Sequence, residues 1–157
     1  MAGTIDGFHI YGGKSAFKFE RISNPAGAPV LSIDGAPYVN NSADWQQKTT
    51  FQISPGEHVE FICFILGLTP SFKAGYHGPK KNKSIEVTNQ PDRGSMYLKL
   101  WEAGTAVGIE ILPAQALQLG ALSLRILSLQ TGFDAQTSLA VLRGTAGRLF
   151  ASKTIKN

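Results

Sequence analysis

The chain has 157 residues and one cysteine, Cys63. Within one chain, that excludes a disulfide, a cysteine-based zinc cluster and an iron–sulfur site, and it points to a reducing compartment. No apolar run reaches the roughly 18 residues that a membrane helix needs. The stretch from Met1 to His9 lacks the basic and apolar regions of a secretion signal. A cytoplasmic or nucleoid-associated setting is therefore expected, with no membrane partner. The chemistry-bearing motifs are missing too. There is no P-loop, no Gly-x-Gly-x-x-Gly after a strand, no His-Glu-x-x-His and no Gly-x-Ser-x-Gly. Cys63 sits among Phe61, Ile62 and Phe64 and reads as a small buried hydrophobe, five residues from His58 and off its helical face. Neither an enzyme nor a metal or organic cofactor is expected.

Charge is sparse, at 17% of residues, but unevenly placed. Lys73, Lys80, Lys81 and Lys83 fall between Phe72 and Ser84 without an acid among them. Arg143, Arg148, Lys153 and Lys156 follow Phe133 against Asp134 alone. Outside these two stretches, 7 basic residues face 10 acidic ones, so the net charge of +4 is concentrated. Clustered cations among aromatics are the electrostatic footprint of a nucleic-acid binder. A solvated loop followed by a soluble tail is the other reading of the same charges.

Apolar residues make up 43%, enough for a core. Alternation predicts strands over Phe8–Tyr11, Ser15–Arg21, Val30–Ile33 and Trp45–Ile53, with Gly12-Gly13 and Asp34-Gly35 as turns and Pro37–Asp44 as a loop. Ser54-Pro55-Gly56-Glu57 has the form of a helix start, and the helix runs on through Val59–Leu66 until Gly67 and Pro70. Further strands are predicted at Ser84–Asn89, Met96–Ala103 and Ala106–Leu112. A second helix is predicted from Pro113 to about Gln130.

The halves repeat. At a shift of 58, Phe51, Ile53, Pro55, Val59 and Phe61 match Ile109, Ile111, Pro113, Leu117 and Leu119. The plan is strands followed by a helix, twice over. Repeat one covers about 7–68 and repeat two about 83–131, within a domain of 1–132, and a basic extension covers 133–157. The fold class expected is α+β with antiparallel sheets and segregated helices. The second helix is apolar nearly all round, so helices of several protomers are expected to pack together. The candidate interface residues are Phe61, Phe64, Leu117, Leu122, Leu124 and Leu129. The alternative is that the C-terminal segment folds over the helix.

Candidate stacking groups are Tyr11, Phe17, Trp45, Tyr76, Tyr97 and Trp101, Phe17 being the better fit to the core because it alternates with Phe19. Tyr97, Lys99 and Trp101 share one face of a strand and leave Leu98 and Leu100 to the core. Lys14, Lys18, Lys48 and Lys99 are strand or strand-end lysines within reach of phosphates. Lys73, Lys80, Lys81 and Lys83 are assigned to a loop that closes over a strand. Single strands need this pairing of aromatic platforms with a cationic path.

In the order of these features the chain resembles the Whirly family of single-stranded DNA-binding proteins, and the wider fold of positive-cofactor-four-type coactivators and mitochondrial guide-RNA-binding proteins. The family has Lys-Gly-Lys-Ala-Ala-Leu between two strands. Here Gly12-Gly13-Lys14-Ser15-Ala16-Phe17 follows Tyr11, with Gly13, Lys14 and Ala16 in agreement. Ala43-Asp44-Trp45 before Lys48 stands where the family has Tyr-Asp-Trp, and Tyr76-His77-Gly78-Pro79 matches an aromatic–His–x–Pro element. The resemblance implies two roughly perpendicular four-stranded sheets and a hub of helices from four protomers. It also implies single-stranded DNA bound across sheet edges and between neighbouring subunits with little sequence preference, in replication, recombination or repair. An RNA-binding or transcription-regulating member of the fold, or an interaction module that binds no nucleic acid, are the alternatives.

Overall fold

The computed structural model describes residues 3–4 and 6–156, with side chains from 6 to 149. Its architecture is α+β, with two antiparallel sheets and three α-helices. In the first sheet, β1 (Gly3–Thr4), β2 (Gly7–Tyr11), β3 (Ser15–Ser23), β4 (Pro29–Val39) and β5 (Ser42–Ala43) lie in chain order, and β6 (Thr49–Ile53) pairs with β4. Its four principal strands are β2, β3, β4 and β6. Helix α1 (Pro55–Ile65) follows. The second sheet is a meander of β7 (Ser71–His77), β8 (Lys83–Gln90), β9 (Ser95–Glu102) and β10 (Thr105–Ile111), followed by α2 (Pro113–Thr131) and α3 (Ala135–Lys156).

The apolar alternation becomes the core. Phe17, Phe19, Ile33, Phe51 and Ile53 of the first sheet face Ile85, Leu98, Leu100, Ile109 and Ile111 of the second, all buried. Each such side chain contributes about 1.5–3 kcal/mol on leaving water. Each sheet lays an edge strand across two strands of the other: β10 across β3 and β4, and β6 across β8 and β9. Helix α1 starts as its sequence specifies. The Ser54 side chain accepts from the Glu57 N–H at 3.2 Å, and the Glu57 carboxylate accepts from the Ser54 N–H at 3.0 Å. Fifty-eight residues on, the Gln115 side chain accepts from the Leu112 N–H at 2.9 Å, below Pro113.

Four expected features differ. Pro37–Asp44 is not a loop: Pro37–Val39 end β4, and Tyr38 and Val39 pair with Ala43 and Ser42 of β5. Asp34-Gly35 is not a turn; β4 runs straight through it. Gly35 pairs with Phe17, and a Cβ there would stand 2.6 Å from Phe17 Cζ, so glycine makes room for a ring rather than for a bend. Asp34 faces away from the core and accepts from Thr50 Oγ1 at 2.6 Å. Residues 71–77 are not a loop but β7, so the second sheet begins twelve residues before the expected repeat start near 83. Only Phe72 and Ala74 pack inward before a bulge at Ala74–His77 breaks the alternation, which hid the strand. Trp45–Gln47 forms a 3-10 turn ahead of β6 instead of opening the strand.

The helices are covered largely from within the chain. The C-terminal segment is α3, whose Leu142 and Ala146 are buried against Ile62 and Cys63 of α1 and Leu127 of α2. The C-terminal segment thus folds over both helices within the chain. Phe61, Phe64 and Leu122, expected at an oligomer interface, are buried in their own chain. Leu124 is partly buried, and Leu117 and Leu129 stay exposed, at 75% and 56%. Among the described residues, no helix is long and apolar enough to cross a membrane.

Candidate nucleic-acid interface

The β2–β3 turn, Gly12 to Lys14, is pressed onto β10. A Cβ on Gly12 would meet Ile109 at 3.1 Å, and Ser15 Oγ donates to the Gly108 carbonyl at 2.6 Å. The Lys14 carbonyl accepts from the Tyr38 N–H at 3.1 Å, which fixes the turn from behind. Next to it the Tyr97 ring lies across Gly108, where a Cβ would fall 2.5 Å from Tyr97 Oη. Only glycine lets the ring lie so close to the strand. The result is a groove of about 270 Å³ between the sheets, walled by Tyr11 and Lys14 from the first and Tyr97 from the second. Glu110 also lines it, but its carboxylate is engaged by Arg93 at 2.6 and 3.0 Å and by Ser95 Oγ at 2.7 Å. The Arg93 guanidinium, and then Ser95, hold that carboxyl below its ordinary range. Lys14 makes no ion pair among the described residues, so the groove has a cation available for an anion.

The outer face of the second sheet continues from Tyr97. Lys99 Nζ stands 5.1 Å from the Trp101 ring centroid, a cation–π contact. Lys99 is otherwise unpaired among the described residues, whereas Lys73, two strands away through Glu86, is bound to that carboxylate at 3.0 Å. Trp101 and Lys73 border a shallow depression of about 420 Å³. Leu98 and Leu100 are buried on the other face, as alternation requires.

On the outer face of the first sheet, Tyr11 lies parallel to His9 at 5.8 Å between ring centroids, and Trp45 meets His9 edge-on at 5.7 Å. Lys18, opposite His9 in register, pairs with Glu20 at 3.2 Å, and Lys48 pairs with Asp34 at 3.4 Å. A phosphate must compete with those carboxylates: the Lys18–Glu20 pair is half-exposed and worth little in water, whereas Asp34 is buried beneath Lys48. His9 was not among the expected site residues, although its i, i+2 spacing from Tyr11 already places the two on one strand face.

The β7–β8 hairpin holds the remaining candidates apart from the groove. Tyr76 is 86% exposed, and Lys80 and Lys81 sit on the turn. Lys83 is not free: its Nζ donates to the Thr50 carbonyl at 3.1 Å and ties the second sheet to β6. Phe17 is fully buried and is core. Lys153 and Lys156 of the basic extension lie outside the residues with described side chains. No cluster of histidine, cysteine and carboxylate side chains able to hold a metal occurs among the described residues. No family model matches the chain, and no characterised protein matches it in sequence.

Proposed function

We propose that the chain binds single-stranded nucleic acid, expected to be DNA, non-catalytically and with little sequence preference, as a homo-oligomer of the Whirly kind acting in replication, recombination or repair. The observation that carries this reading is the groove that joins Tyr11 and Lys14 to Tyr97 and leads onto Lys99 and Trp101. Rings that accept any base beside cations that track the backbone suit unpaired strands, and each stacked base is worth about 1–3 kcal/mol. Duplex DNA hides its base faces and cannot use such a surface. Two strand-and-helix halves, with their matched helix starts at Pro55 and Pro113, support the same fold reading. For the assembly, Leu117 and Leu129 on α2 offer exposed apolar contacts, as do Phe133 and, on α3, Leu139 and Val141.

Fluorescence anisotropy with labelled oligo-dT and a matched duplex, at two salt concentrations, tests the reading. The expected result is binding of the single strand that weakens steeply with salt as counterions are released. Equal affinity for both nucleic acids, or affinity indifferent to salt, overturns it.

A further inference from the structure

The two aromatic surfaces are separate in sequence and lie on different sheets, yet Tyr11 belongs to both. It is 63% exposed, lies parallel to His9 on the first sheet and walls the groove that Tyr97 closes from the second. From the other side His9 meets Trp45, which the 3-10 turn presents through the Asp44 carboxylate accepting from the Gln46 N–H at 3.1 Å. The three rings thus adjoin without a break, at 5.7 and 5.8 Å between centroids. Beyond the turn the rings resume with Tyr97 and Trp101. Between the two sets stands Lys14, with no ion pair among the described residues and a backbone held in place by Tyr38.

We infer that one strand crosses both sheets of a single protomer, over Trp45, His9 and Tyr11, past Lys14, and on to Tyr97 and Trp101. This rests on the function proposed above. His9 is a binding residue on this path: it supplies the ring without which Trp45 is an isolated platform. Histidine rings stack on bases as other aromatics do.

The chain's two tryptophans, Trp45 and Trp101, lie one on each surface, which makes the path directly readable. Single-tryptophan proteins, Trp101→Phe and Trp45→Phe, are titrated with oligo-dT from about 4 to 16 nucleotides, the span of site sizes seen in single-strand binders. Anisotropy of the labelled strand is followed in parallel. The expected result is that long strands quench both tryptophans at one strand per protomer. In the Trp101→Phe background, His9→Ala should lower affinity on the order of tenfold and His9→Phe should restore it, because a lost stack is worth about that factor. If anisotropy reports binding but Trp45 emission never changes, the path does not cross the first sheet. Saturation at two strands per protomer also overturns it, since the surfaces then act independently. Either result leaves single-strand binding intact, whereas a wild-type protein that binds no strand ends both readings.

Discussion

Gly35 and Gly108 both stand under an aromatic ring, and alanine should affect them differently. At Gly35 the obstacle is Phe17 Cζ at 2.6 Å, a ring tip with no exposure and core on every side. Gly35→Ala should cost about 1–3 kcal/mol, the usual penalty for overpacking a tight interior, read as a lower urea midpoint. At Gly108 the obstacle is Tyr97 Oη at 2.5 Å, the end of a half-exposed side chain that can swing away. Gly108→Ala should change stability less but dislodge the ring from the groove, so oligo-dT affinity should fall. The sequence carries no sign that separates these cases. Asp34-Gly35 has the composition of a turn, and only the register of β3 on β4 shows that the glycine is there for Phe17.

His58 offers a second test at the same scale. It is fully buried, with Nε2–H donating to the Ser123 carbonyl at 2.8 Å and Nδ1 without a partner among the described residues. Burial pushes its pKa below the ordinary 6.5, against the smaller upward pull of the Ser123 bond. The folded protein therefore refuses a proton that the unfolded chain accepts. Its stability contribution is complete above pH 6.5 and is lost progressively below it. Urea midpoints should fall between about pH 7.5 and about pH 5.5, and His58→Leu should flatten that slope. A wild-type midpoint unchanged over this range contradicts the burial argument.

Among the elements, those with strong local chemistry were legible. The capping box at Ser54 and Glu57, the Pro113 helix start and the Leu98–Leu100 alternation all stand where the residues put them. Strand β7 was not legible, because Gly75 and a bulge leave it only two inward apolar positions and its lysines read as loop. Phe61, Phe64 and Leu122 were misassigned for a related reason. An apolar helix declares that it is covered but not by what, and here α3 of the same chain supplies part of the cover. This decides which mutations test the assembly. Leu122 is 1% exposed, so Leu122→Asp should unfold the protomer by placing a charge in the core. Leu117→Asp with Leu129→Asp touches exposed positions instead and should leave the melting temperature within a few degrees while separating protomers, as light scattering would report. An assembly of unchanged mass would show that these leucines are not its contact.

Over the whole molecule, the site is divided between distant stretches of chain. Tyr11 and Lys14 lie more than eighty residues from Tyr97, and the groove exists only because β10 crosses β3 and β4. Composition could nominate these residues singly, and the strand face could unite Tyr97, Lys99 and Trp101. The meeting of the two sets is a property of the packing of one sheet on the other. Charge follows the same division: Lys14, Lys80, Lys81 and Lys99 make no ion pairs among the described residues, while Lys18, Lys48 and Lys73 neutralise carboxylates on their own sheets.

The docking of α3 has a consequence for the chain's one thiol. Cys63 is shut beneath Leu142 and Ala146, and burial, with Glu60 nearby, pushes its pKa above the ordinary thiol value. A disulfide reagent in solution can reach it only when the last helix lifts, so the labelling rate at low reagent becomes a clock for that local opening. Truncation after Gly132 should speed labelling by orders of magnitude, whereas Arg143→Ala, on the exposed side of α3, should leave it close to wild type. A truncated chain that labels no faster would place the barrier in the rest of the fold and not in its final helix.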